Sequence, residues 1–179
     1  GSTLQIVDMS YLPDSVHVVY DSNALFARSH TIFIEGNKLF CGSVTLTGGG
    51  GFYPMAVYDL TNPTSPVFLR NLGDDFPFAG IVHDMFVKND TVFASHGNAG
   101  LRIYKYNANN TFSLLVEYTN YLLGGYNHSS ALTPDSKTLV FTDEVPTGLP
   151  AKVLDVSDFG NLTLTDTIVS HPGATAHNV

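Results

Sequence analysis

Histidine placement is the feature of this chain that most asks for a chemical explanation. Seven of the 179 residues are histidine, and four of them, His30, His83, His128 and His177, keep a period. They follow Asp8, Asp59, Lys105 and Asp155 by 22, 24, 23 and 22 residues, and those anchors lie 51, 46 and 50 residues apart. Imidazole with carboxylate suits a borderline divalent cation such as zinc, and carboxylates sit close by in the sequence at Asp84, Asp143 and Glu144. No HxH, HxxxH or HExxH spacing occurs, so any ligand set has to be assembled from different repeats.

The elements that must do this assembling are short strands. "LQIVDMS" (4–10), "MAVYDLTNP" (55–63), "LRIYKYN" (101–107) and "AKVLDVSD" (151–158) share an apolar alternation that ends in a polar turn. Between successive anchors each unit splits into four such pieces. The unit containing His83 reads "MFVKND", "TVFASHG", "GLRIYKYN" and "FSLLVEYTN", with Asn-, Asp- and Gly-rich turns between them. Helical periodicity is absent at useful length. Four strands every 45–50 residues is the pattern of β-propeller blades. A β-sandwich also uses evenly spaced short strands, but it does not require one motif every fifty residues.

The expected fold class is therefore all-β, a propeller of four-stranded antiparallel blades with about three and a half blades present. The expected divisions are a half blade over 1–28, blades over 29–80, 81–125 and 126–174, and the start of another at 175–179. A closed ring needs at least about four complete blades. The reading thus expects a fragment, or a chain whose remaining blades come from the rest of the protein or from another chain.

In a blade the first strand starts from the face at which the second strand ends. His30, His83, His128 and His177 open first strands, while Ser43, His96 and the Asp143-Glu144 pair close second strands. With Asp84 they are expected around one mouth of the central channel. Two roles follow. One is a polar, partly acidic site for a divalent metal (His83, His128, Asp143 and Glu144) or a small polar ligand. The other is stapling, with each ring nitrogen bonding a backbone carbonyl of the next blade, the nearest-neighbour contact that repeat folds need.

Composition narrows the partners. A net charge of −8 with 8 Lys and Arg disfavours a nucleic-acid groove, which needs clustered cations, and an anionic membrane surface. No apolar run reaches the ~20 residues that span a bilayer. Cys41, in "KLFCGS", reads as a buried, inert thiol. "TGGGGF" (47–52) lacks the Lys-Ser/Thr ending of a phosphate loop and reads as a long turn between second and third strands. Neighbours such as Ser29-His30 and Ser95-His96 alternate across a strand, so they cannot act as nucleophile and base. Asn-x-Ser/Thr triplets begin at Asn89, Asn109, Asn127 and Asn161, a pattern that chance supplies readily in an Asn- and Thr-rich chain.

The anchor strings, with "NPTSPVFL" after Asp59, resemble the LVIVD repeat, an apolar strand ending in Asp followed by a Ser/Asn-Pro turn. "NHSSALTPDSKTLVFTDE", "VHDMFV" and "AHNV" resemble more narrowly the choice-of-anchor B family of bacterial secreted proteins. Lys105 departs from the Asp of the repeat. The resemblance implies an extracellular or cell-surface propeller and carries no catalytic residues to transfer. The expected function is a non-catalytic binding or scaffold module meeting a protein or glycan through the His-lined mouth, with Tyr121 and Tyr126 as contact surface. The alternative is a metal-assisted hydrolase or lyase using His83, His128, Asp143 and Glu144. That alternative requires unequal side chains in a concave pocket, where staples would be equivalent.

Overall fold

The computed structural model describes residues 3–169 and 171–179. Its strands form four antiparallel sheets, with almost no helix. A two-stranded sheet pairs β1 (Leu4–Asp8) with β2 (His17–Ser22). Three four-stranded sheets follow, each ordered as in the chain. The first holds β3 (Thr31–Glu35), β4 (Lys38–Thr45), β5 (Phe52–Asp59) and β6 (Val67–Asn71), with a single helical turn, α1 (Leu72–Asp75), after it. The second holds β7 (Asp84–Lys88), β8 (Thr91–Ser95), β9 (Leu101–Tyr106) and β10 (Phe112–Tyr118). The third holds β11 (Asn127–Leu132), β12 (Thr138–Asp143), β13 (Ala151–Asp155) and β14 (Thr163–Ile168). This is the all-β, partial propeller-like repeat that the sequence period implies. The chain divides into two compact units, residues 1–79 and 80–179.

Burial explains why middle strands are richer in apolar residues than the outermost ones. In the first unit Leu39, Cys41 and Val44 from β4 join Ala56 and Tyr58 from β5, and Leu4 and Phe26 close this core. In the second unit Phe93, Leu101 and Ile103 of one sheet meet Leu139, Phe141 and Leu154 of the next. Such strands are covered on both faces and tolerate few polar side chains, whereas β14 is mostly exposed and reads "TLTDTI". Cys41 is fully buried, and burial pushes its thiol up to about 12, which makes it an inert core residue.

Turn chemistry sets the register. Asn89 and Asp90 both take positive φ (51° and 57°) in the two-residue link from β7 to β8, as a tight hairpin requires. The glycine run before β5 has a purely conformational use. Gly48, Gly49 and Gly51 sit at φ of 67°, 77° and 113°, where a side chain is strained.

The anchor aspartates close third strands. Oδ1 of Asp8, Asp59 and Asp155 accepts the backbone N–H two residues on, from Ser10 (2.9 Å), Thr61 (2.8 Å) and Ser157 (2.9 Å). This local turn is why an acid recurs at the strand end. Lys105 cannot make it; its Nζ donates instead to the Asn89 carbonyl at 2.6 Å. The Thr61 and Ser157 hydroxyls, followed by the backbone N–H groups, hold Asp59 and Asp155 below the ordinary carboxylate range, and for Asp8 the Ser10 backbone N–H leads. A depressed folded-state pKa stabilises the fold above the unfolded value, and the benefit is lost as pH falls through the folded one. Thermal stability should therefore drop as pH falls below about 4. The triple variant D8N/D59N/D155N, whose amides can keep the turns, should show a shallower drop in melting temperature across that window.

Candidate metal centre

The centre is built where two sheets of the second unit meet. Gly97, just past β8, exchanges both backbone hydrogen bonds with Asn127 at the head of β11, at 3.1 and 3.0 Å. β11 thereby lies beside β7 and β8, and the residues heading the two first strands become neighbours. His83 precedes β7, with its N–H bonded to the Ser95 carbonyl at 2.7 Å. His128 is the extra residue in a bulge, because Asn127 faces Asp143 and Ser129 faces Thr142. A bulge of this kind re-aims the side chain it carries. The two imidazoles lie 4.5 Å apart between ring centroids, tilted at 53°.

Glu144 completes the set. Its N–H donates to the Tyr126 carbonyl at 3.0 Å, and Tyr126 N–H donates to the Val145 carbonyl at 2.8 Å. That pairing holds the carboxylate over the imidazoles. One ligand atom each from His83, His128 and Glu144 lies within 4.8 Å of the others, and His128 Nε2 is 3.6 Å from Glu144 Oε2. A tetrahedral cation with bonds of about 2.0–2.2 Å needs ligand atoms roughly 3.3 Å apart, so a closing movement on the order of 1 Å suffices. Two imidazoles and a carboxylate form the donor set of a catalytic zinc site with one position left open.

His128 is 6% exposed. Its Nδ1 is buried without a hydrogen bond among the described residues, although the His177 carbonyl is near enough to favour the charged ring. Burial and then the charge of His177 lower the His128 pKa, against opposing pulls from Glu144, that carbonyl and Asp84. The balance favours neutral imidazole, the coordinating form. His177 packs against His128, with centroids 3.9 Å apart and planes tilted at 45°, and its Nε2 is 3.5 Å from Glu144 Oε2. Unlike His128, its side chain is 58% exposed. The segment holding it is pinned through its own carbonyl, which accepts hydroxyl bonds from Thr142 (2.8 Å) and Ser129 (3.3 Å).

Four of the expected residues are not among the three ligand groups. His96 is buried within its own sheet, its Nε2 3.2 Å from the Tyr104 hydroxyl; it follows an inward-facing strand end and turns into the core. Asp143, expected as a ligand, is wholly buried and engaged by Lys152 Nζ at 2.5 Å and by the donating Tyr121 hydroxyl at 2.8 Å. Asp84 accepts the N–H of Met85 at 2.8 Å, and its charge favours the protonated form of His128, so it stands beside the cluster without supplying one of its three ligand atoms. His30 belongs to the first unit, exposed ahead of β3, with its N–H on the Gly42 carbonyl. His128 has both surroundings: its Nε2 faces the Glu144 carboxylate, and the backbone carbonyl of His177, from the next repeat, lies within reach of the ring as a staple would require. Asn127 is fully buried, so its Asn-x-Ser triplet is closed to modification.

One feature near the site has no counterpart among the expected residues. Lys152 shares the inward register of Leu154 on β13, and a lysine there demands a buried carboxylate; that signal was present in "AKVLD". Tyr126, expected as contact surface at the mouth, has a ring that covers Gly97 and meets His83 edge-on at 5.3 Å and 88°. No family model and no curated protein matches the chain.

Two substitutions test this framework. A Cβ at Gly97 would lie 2.6 Å from Tyr126 Cε2, at a φ of +59°. Gly97→Ala should cost about 1–3 kcal/mol in urea denaturation and displace the ring beside His83. Asp143→Ala strands the Lys152 ammonium and should cost about 3–5 kcal/mol. Adding Lys152→Met to it should recover much of that loss.

Proposed function

We propose that this protein binds a divalent cation, zinc by donor type, through His83, His128 and Glu144, and uses it as a metal-assisted hydrolase or lyase. The observation that carries the reading is the convergence of three ligand atoms from three chain segments within 4.8 Å. A cation held by these three residues would act as a Lewis acid and would lower the pKa of a bound water to about 7. The surrounding residues differ in ways that suit this chemistry. Glu144 is partly exposed and His128 is buried. His177, exposed at the rim, can carry a proton to or from solvent, and Asp84 adds negative charge that helps hold a cation.

The stapling role expected of the histidines calls for equivalent positions locking blade to blade. His83, His128 and His177 are half-buried, buried and exposed respectively, and unequal surroundings support a site over a set of staples. The likeness of the anchor strings to the LVIVD repeat, and of "NHSSALTPDSKTLVFTDE" to choice-of-anchor B proteins, supports an extracellular or cell-surface setting. No helix among the described residues is long and apolar enough to cross a membrane.

Mass-spectrometric metal analysis of tag-free protein should find about one equivalent of metal per chain, lost in both His83→Ala and His128→Ala. Metal-free protein, with variants that only melt earlier, would sink the proposal. Cobalt(II)-loaded protein then separates catalytic from structural roles. A visible spectrum that changes on adding azide reveals an open position, whereas an unresponsive spectrum restored to responsiveness by His177→Ala would mean that His177 closes the site.

A further inference from the structure

A cleft of about 540 Å³ opens next to the cluster, in the same unit. It lies within the ~300–1,000 Å³ range of small-molecule sites. Its walls include Asn98, Thr119, Asn120, Tyr121, Tyr126 and Val145. None of its lining residues is charged, in a protein whose net charge is −8. The site therefore offers little to an ionic ligand and leaves hydrogen bonding as its means of recognition.

The polar groups are unspent. Among the described residues the side chains of Asn98, Thr119 and Asn120 and the hydroxyl of Tyr126 make no hydrogen bond, whereas the Tyr121 hydroxyl is committed to Asp143. Two amides, a threonine hydroxyl and a phenol thus present both donors and acceptors. Such mixed capacity matches hydroxyl groups, which donate and accept at once. The floor is made close by glycine. A Cβ on Gly125 would lie 2.2 Å from the Val145 carbonyl oxygen, and one on Gly100 would lie 2.9 Å from Thr119 Cα, so side chains at either point would push the walls apart.

The cleft and the cluster share a wall. Tyr126 lines the cleft and touches His83 edge-on, and Val145 follows Glu144 directly. We propose that this cleft is a subsite for a neutral saccharide, held by Asn98, Thr119, Asn120 and Tyr126, with one end directed toward His83 and Glu144. A neutral peptide is the competing occupant. It is the poorer match, since the unspent groups are amides and hydroxyls and the cleft contains no member of a β-ladder for a peptide backbone to extend. The binding step stands independently of the cation; only the direction of the bound chain rests on the metal-centre reading.

The test uses the full chain, titrated with maltotriose, cellotriose, chitotriose and mannotriose by isothermal calorimetry, once after chelation and once with zinc. At least one trisaccharide should bind in both states, and Asn98→Ala and Asn120→Ala should each weaken it by tenfold or more. These two exposed residues lie outside the metal cluster, so both variants should keep the metal loading of the parent. Binding of none of the four, tighter binding of an acidic oligosaccharide such as trigalacturonate, or binding only of a neutral peptide such as tetra-alanine would each overturn the subsite. Saccharide binding by protein that takes up no metal would leave the subsite standing and remove the metal centre.

Discussion

The reciprocal pair of backbone hydrogen bonds between Gly97 and Asn127 is the constraint on which the second unit's chemistry depends. A repeat fold places corresponding residues in corresponding positions, but by itself it leaves them a blade apart. The Gly97–Asn127 bridge joins the end of one second strand to the head of the next first strand. His83 and His128 thereby come within ring contact, and Asn127, paired with Asp143, carries Glu144 to the same point. Gly97 can serve only because it takes a positive φ and leaves room for the Tyr126 ring. One glycine thus links sheet pairing, aromatic packing and ligand placement.

The buried ion pair beneath the centre does a different task. Asp143 and Glu144 are adjacent in sequence yet have opposite fates: one is sealed under Lys152, Tyr121 and Asn127, the other emerges beside the imidazoles. Strand alternation sends neighbours to opposite faces. Fixing Asp143 by three partners therefore fixes the direction in which Glu144 must leave β12. Removing charge from the buried pair costs little only if both partners go together, which makes the arrangement a single structural device.

Much of the fold was legible because it rests on local chemistry repeated along the chain. The Asp8, Asp59 and Asp155 turns are two-residue interactions, and their period is visible without knowing any distant contact. Apolar strands between polar turns then follow from alternation. The candidate site was legible only in part. His83, His128 and Glu144 were named because periodicity locates strand ends. His96 and Asp143 were named by the same logic and lie elsewhere. A strand end specifies a neighbourhood, while the side chain's direction depends on whether a partner such as Tyr104 or Lys152 lies beneath it. Those partners sit on other strands, and the period that places them does not tell which second-strand residue each one will engage. Lys152 was the exception, since a cation in an inward register announces that a carboxylate must be near.

Periodicity also explains why the site is asymmetric. Equal repeats generate equal positions, and equal histidines make good staples and poor catalytic groups, because acid, base and ligand roles need different environments. The asymmetry here comes from three local departures. A bulge at His128 turns that ring inward, the terminal segment lays His177 across it at 3.9 Å while leaving that ring exposed, and only the third sheet ends its second strand in Asp-Glu. Each departure is small on the scale of a sheet, a single extra residue or one substituted strand end. Together they convert a repeated position into a donor set of two nitrogens and one oxygen, with a buried ring held neutral, an exposed ring at the rim and an uncharged cleft alongside.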